Sequence, residues 1–133
     1  MLFARNQCIL TLEFSSVCEK VARREGWTVT ICEDGAELLH ALHQEHGPAL
    51  ILCDIHIPNI DGIDVAQELR FINRPLLVRF MTGGPPVDAF AAQMIGEAHK
   101  VVGGRFLYKP ISIDRLREAL SSDKDALERA FGI

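Results

Sequence analysis

The stretch LILCDIHIPNIDG, residues 50–62, is apolar over its first three positions and turns acidic at Asp54, with Pro58 four residues on and Gly62 eight on. An apolar run without alternation is the pattern of a strand covered on both faces, as in a parallel sheet flanked by helices. A carboxylate at the exit of such a strand stands where the chain leaves the core. Taken singly, Asp54 is a turn residue, since Asp readily hydrogen-bonds nearby backbone in turns. The rest of the chain decides whether it is more.

Short apolar runs alternate with segments of helical periodicity on both sides of it. QCILTLE (7–13) reads as a first strand, and a helix follows from about Ser16 with Val17, Cys18, Val21 and Ala22 on one face. TVTIC (28–32) is β-branched and strand-like, and Asp34 is placed to cap a helix that buries Leu38, Leu39 and Leu42. After ALILC (49–53), a helix from about Ile63 to Phe71 turns Val65, Ala66 and Leu69 inward. PLLVRFM (75–81) is a fourth strand, 87–97 a helix and RFLYK (105–109) a fifth strand. Ser112 caps a last helix with Ile113, Leu116 and Leu120 aligned. Leu116, Leu120, Leu127 and Phe131 continue the spacing, so this helix is expected to extend to 131 with a polar interruption at Ser121 to Asp123.

Five strands alternating with five helices imply an α/β fold, a doubly wound five-stranded parallel sheet of the flavodoxin-like (βα)5 kind. The 133 residues are expected to form one domain with its core at about 7–120. Residues are 48% hydrophobic and 24% charged, the net charge is −4, and no cation falls between Thr82 and Glu97. A phosphate backbone calls for a basic stripe, so nucleic-acid binding by this domain is not expected. Cys8, Cys18, Cys32 and Cys53 fit no C-x-x-C spacing and read as buried, reduced thiols. No apolar stretch approaches the roughly 20 residues of a membrane span, and no signal-peptide core opens the chain. The expectation is a cytoplasmic protein.

Open α/β sheets build their sites outside the carboxyl ends of the strands. Glu13, Asp54, Thr82 and Lys109 all fall at such ends. Each alone has an ordinary explanation as a cap, turn or solvated residue. Two acids, a hydroxyl and an amine on one edge suit phosphoryl transfer to a carboxylate. The Asp oxygen attacks phosphorus, and a cation, an ammonium and a hydroxyl meet the charge on the transferring oxygens. Glu13, Asp54 and a backbone carbonyl suit a hard divalent cation such as Mg²⁺, and Gly83 leaves room beside the hydroxyl.

The chain resembles the receiver domain of bacterial two-component response regulators over about residues 7–120. Asp54 with Pro58 and Gly62, Met81-Thr82-Gly83, and Phe106-x-x-Lys109-Pro110 carry the resemblance. It implies that Asp54 is the phosphoacceptor, charged by a sensor histidine kinase or a histidine phosphotransferase. It further implies that Thr82 is the switch hydroxyl, Lys109 the phosphate-contacting lysine and Phe106 the switch aromatic. The Lys109–Pro110 bond is expected to be cis, and the carbonyl of His56 to be a metal ligand. A downstream effector protein or domain, and a homodimer through the last helices and strand 5, are the partners it implies. The only reaction it implies is the domain's own phosphotransfer and autodephosphorylation.

The pattern breaks at the first strand. The family usually ends that strand with two adjacent acids, and here the pair is Glu13-Phe14; the following helix is also about one turn short. Either Glu13 takes over the missing role or the Mg²⁺ site is weakened. Two other functions compete. A phosphatase of the haloacid-dehalogenase type needs a second Asp two residues after the nucleophile, where this chain has His56, and the chain leaves no room for a cap domain. A phosphorylation-independent pseudo-receiver, acting as a protein-binding module, stays open. So does the choice between a single-domain relay protein and an excised receiver. Trp27 and Phe14 read as core or rim aromatics. His40, His43, His46 and His99 show no ligand geometry.

Overall fold

In the computed structural model, the residues described are 7–11, 16–56, 61–98, 102–103 and 106–131. Strand β3 (Ala49–Asp54) forms the middle of the sheet, every residue buried, as its unbroken apolar run requires. It pairs in parallel with β1 (Gln7–Thr11) on one side and β4 (Leu76–Thr82) on the other. Beyond β1 lies β2 (Thr28–Cys32), and beyond β4 lies β5 (Val102–Gly103), giving the order β2-β1-β3-β4-β5. A further short strand, β6 (Leu107–Tyr108), also pairs with β4, through Met81↔Leu107 and Thr82↔Tyr108. The expected fifth strand is therefore two short pieces on one edge. The all-parallel doubly wound architecture is as expected.

Helices α1 (Ser16–Arg24), α2 (Gly35–Gln44), α3 (Gly62–Glu68), α4 (Val87–Ala98) and α5 (Ile113–Phe131) connect or follow the strands. Their starts follow from capping chemistry. The side chains of Asp34, Asp61 and Ser112 accept the N–H groups of Glu37, Asp64 and Arg115 at 2.8, 2.9 and 3.1 Å. α3 ends in a tighter turn over Leu69–Phe71. The core forms two layers. One gathers Leu38, Leu42, Val65, Ala66, Leu69, Ala89 and Ala92 against Ile9, Ile51, Val78 and Phe80. The other gathers Val21, Ala22, Trp27, Leu116, Leu120 and Leu127 against Cys8, Leu10, Leu50, Leu52, Leu77 and Met81.

The described part of β1 ends at Thr11, and Leu12 and Glu13 of the expected strand, with Phe14, lie outside the described residues. Two expectations need correction. Val17 and Ile113 are exposed instead of facing the core, because each sits in the first turn of its helix, off the buried stripe. The polar interruption of α5 is not a solvated break. Asp123 is only 2% exposed and forms a forked pair with buried Arg79 of β4, Oδ2 to Nε at 2.6 Å and Oδ1 to Nη2 at 2.7 Å. α5 does extend to Phe131, and Leu127 is fully buried.

None of the four cysteines is in a disulfide, and all four are buried. Burial pushes the Cys32 thiol up to about 11, with Glu37 and Asp34 adding to the shift, and raises Cys8 and Cys53 further still. These three thiols stay protonated at neutral pH, in keeping with a role as small apolar side chains.

Candidate functional site

Asp54 closes β3 at the carboxyl edge of the sheet, and its side chain is 1% exposed. Its backbone is held from both sides. The N–H of Asp54 donates to Thr11 Oγ1 at 2.9 Å, and the N–H of Ile55 donates to the Met81 carbonyl at 2.9 Å. The carboxylate folds over its own turn, with Oδ1 accepting the His56 N–H at 2.8 Å. This is the local bond that makes Asp a turn residue. Oδ2 faces the ammonium of Lys109 in an ion pair. Apart from that ammonium, no donor of the described residues reaches Oδ2, so its compensation there is cationic.

Lys109 is brought there by β6. The edge strand hands over to Lys109, whose N–H donates to the Thr82 carbonyl at 2.8 Å, and the Lys109–Pro110 peptide is cis, as expected. The lysine is thus tied by its backbone to the end of β4 and by its side chain to the end of β3. Thr82 is fully buried, and its Oγ1 accepts the Gly84 N–H at 3.2 Å, which shapes the turn after β4. The structure therefore brings Asp54, Thr82 and Lys109 to the ends of three neighbouring strands.

Phe106 is half-buried at the start of β6. Its N–H donates to Gln93 Oε1 at 3.2 Å, and its ring meets exposed Tyr108 edge-on, 5.4 Å between centroids. The side chain of His56 is exposed, and so are His40, His43 and His46. Pro58 and His99 lie outside the described residues. Two participants were not anticipated. Thr11 looked like an ordinary β-branched strand residue. Tyr108 was hidden by the solvent-facing alternation of the edge strand.

Gly62 packs back against the chain just after Asp54. Its N–H donates to the Ile55 carbonyl at 2.9 Å, and a Cβ there would lie 2.6 Å from Ile55 Cδ1 and 2.9 Å from Ile55 Cα. The methyl group can yield but the backbone atom cannot. Gly62→Ala should therefore cost about 1–3 kcal/mol by overpacking, read as a lower urea midpoint. Gly84→Ala is the control, since a Cβ there meets nothing within 4 Å, and it should stay within about 0.5 kcal/mol of the parent.

A divalent cation fits this chemistry in one respect. Asp54 Oδ2 is a buried carboxylate oxygen compensated among the described residues only by a cation, the Lys109 ammonium. Among the described residues no cluster of three or more His, Cys, Asp or Glu side chains could hold a metal, so the remaining ligands would be backbone carbonyls or Glu13.

Comparison with known proteins bears on the same edge. The sensory transduction protein LytT of Oceanobacillus iheyensis is 32% identical over 97 residues, covering 71% of this chain and 36% of that protein. The chain thus spans only about a third of that relative. The sporulation initiation phosphotransferase F of Bacillus subtilis is 29% identical over 101 residues, covering 76% of this chain and 77% of the other. A receiver domain protein (CheY-like) from Methanospirillum hungatei superposes with a TM-score of 0.76 over 96% of this chain and 99% of its own, at 16% identity, a likeness of fold. The model of the response regulator receiver domain matches residues 13–121, taking in the ends of β3, β4 and β6 on which Asp54, Thr82 and Lys109 stand. On that match, the chain belongs to the response regulator receiver domain family.

Proposed function

We propose that Asp54 accepts a phosphoryl group from a phosphohistidine of a sensor histidine kinase or a histidine phosphotransferase, and that this changes the surface the domain offers to an effector. The observation that carries this reading is the carboxylate itself: buried, turned by the His56 N–H and compensated at Oδ2 by Lys109 alone among the described residues. An oxygen of Asp54 forms the new bond to phosphorus as the P–N bond to the donor imidazole breaks, and the electron pair leaves with that nitrogen. Lys109 meets charge on the phosphoryl oxygens, and the Thr82 hydroxyl turns toward them. Mg²⁺ would be held by Asp54, Glu13 and the His56 carbonyl, and it supplies charge neutralisation at the transferring group. Receiver domains are in general phosphoacceptors rather than enzymes acting on separate substrates, and this one is proposed to act only on its own acyl phosphate.

The readout surface is proposed to lie around α4, β6 and the start of α5. Val87, Phe90, Met94, Tyr108 and Ile113 are exposed there, and a homodimer or an effector covers them. No helix among the described residues is long and apolar enough to cross a membrane, which supports a cytoplasmic signalling role.

The competing reading is a pseudo-receiver that binds partners without phosphorylation. Incubation with acetyl phosphate and Mg²⁺, followed by intact mass, separates the two. The wild type should gain one phosphoryl group and Asp54→Asn none. A wild type that gains nothing leaves the pseudo-receiver, and an undiminished gain in Asp54→Asn moves the acceptor elsewhere.

A further inference from the structure

We infer that Thr11 is a positioning residue for phosphoryl transfer: its hydroxyl fixes the main chain of Asp54 where the described pairing of β1 with β3 ends. The inference rests on Asp54 being the acceptor, as proposed above. The ladder between β1 and β3 runs from Gln7↔Ala49 to Leu10↔Leu52 and is not continued beyond that pair among the described residues. In a parallel strand successive N–H groups point to opposite neighbours. The Ile55 N–H donates to Met81 of β4, so the Asp54 N–H points toward β1, where the register has ended. The Thr11 side chain accepts that N–H at 2.9 Å. Both residues are out of reach of solvent, at 0% and 1% exposure. Water cannot substitute for the hydroxyl, and an unpaired buried N–H is costly.

Asp54 is consequently clamped between two strands, through Thr11 to β1 and through the following peptide to β4. The His56 N–H then fixes Oδ1, which leaves the carboxylate one remaining direction, with Oδ2 at Lys109 and the edge. Attack needs that placement. The carboxylate oxygen bonds to phosphorus as the P–O bond of acetyl phosphate breaks, and the electron pair leaves with acetate. Thr11 gives up no proton in the step. Its contribution is geometric, and misplacing a reacting group by about 1 Å costs on the order of 10²-fold in rate.

Packing alone would make a different demand at this site. Three apolar residues, Cys8, Ile9 and Leu10, precede Thr11 in β1, and valine has threonine's shape without the acceptor. The test is a time course of intact mass with acetyl phosphate and Mg²⁺ on wild type, Thr11→Val, Thr11→Ser and Asp54→Asn, at a temperature where all are folded. Thr11→Val should slow phosphorylation about tenfold or more, and Thr11→Ser, which restores the hydroxyl, should stay within about threefold of wild type. A purely structural threonine predicts the reverse order, because valine keeps the volume that serine loses. That order, or a wild-type rate in Thr11→Val, overturns the inference.

Hydrogen exchange of the Asp54 amide gives a second reading that requires no phosphorylation and no valine variant. It should be slow in wild type and in Thr11→Ser, and fast exchange in the folded wild type overturns the inference even if Thr11→Val does not fold. A wild type that takes up no phosphoryl group while this amide stays protected identifies failure of the acceptor assignment. The positioning role falls with it, although the anchor stands.

Discussion

Asp123→Leu should cost about 3–5 kcal/mol of folding stability, the cost of removing one member of a buried ion pair. Arg79 sits on the all-buried β4 in the layer that holds Leu77, Met81, Leu116, Leu120 and Leu127. Its guanidinium is largely out of water, where breaking its ion pair is costly. Both nitrogens that face α5 are used by the one carboxylate. The acid fares differently. Burial pushes the Asp123 carboxyl above its ordinary range, and the hydrogen bond and charge of Arg79 pull it back. For this carboxyl, the effect of burial outweighs that of its partner. The double variant Arg79→Met, Asp123→Leu should accordingly be as stable as the parent, or more stable by about 1–4 kcal/mol. Urea midpoints of the parent, the single variant and the double variant decide the matter. A double variant as unstable as the single one would mean that the loss comes from packing and not from an unpaired guanidinium.

Lys109→Ala should slow phosphorylation of Asp54 by about 10²–10³-fold, the range for removing one preorganised group aimed at developing charge. Its effect on folding is expected to exceed that of an ordinary surface change. The side chain is 31% exposed, yet its partner carboxylate is 1% exposed and would be left with the His56 N–H alone. Adding Asp54→Asn to Lys109→Ala should restore part of that stability while leaving phosphorylation absent. Initial rates from acetyl phosphate, paired with thermal melts of the two variants, check both halves. A lysine variant that keeps the parent's rate would remove Lys109 from the transfer chemistry.

The architecture was legible because its signals are local and repeated. Ala49 to Cys53 announces a strand covered on both faces, and Asp34 and Ser112 cap the helices they were expected to cap. The edge was legible as well, since Asp54, Thr82 and Lys109 each follow an apolar run directly. The register of pairing across strands left no mark in the sequence. Thr11 becomes an anchor only because the β1–β3 ladder stops at Leu10↔Leu52, and β-branched residues fill strands for many reasons. Asp123 misled for a related reason. A charge within a helix reads as solvent-facing, and nothing near it in the chain points to Arg79, 44 positions away. The edge strand misled through length, because two residues at β5 and two at β6 are too few for any periodicity to report.

The ion pair between Lys109 and Asp54 makes the lysine a tethered competitor for its own site. A group on a short tether acts at an effective concentration on the order of millimolar. A free cation seeking Asp54 Oδ2 therefore contends with an ammonium that never diffuses away, and its apparent affinity falls by the fraction of time the tethered group is in place. The coupling is reciprocal. Lys109→Ala is therefore expected to tighten the hold of Asp54 on a divalent ion, and an ion in place would release the ammonium. Because the Lys109 N–H is bonded to the Thr82 carbonyl, that release is felt at the end of β4 as well. On the proposed reading of Asp54 as the acceptor, the resting ion pair would hold the site back, and its readiness would be set by an exchange between an internal cation and an external one.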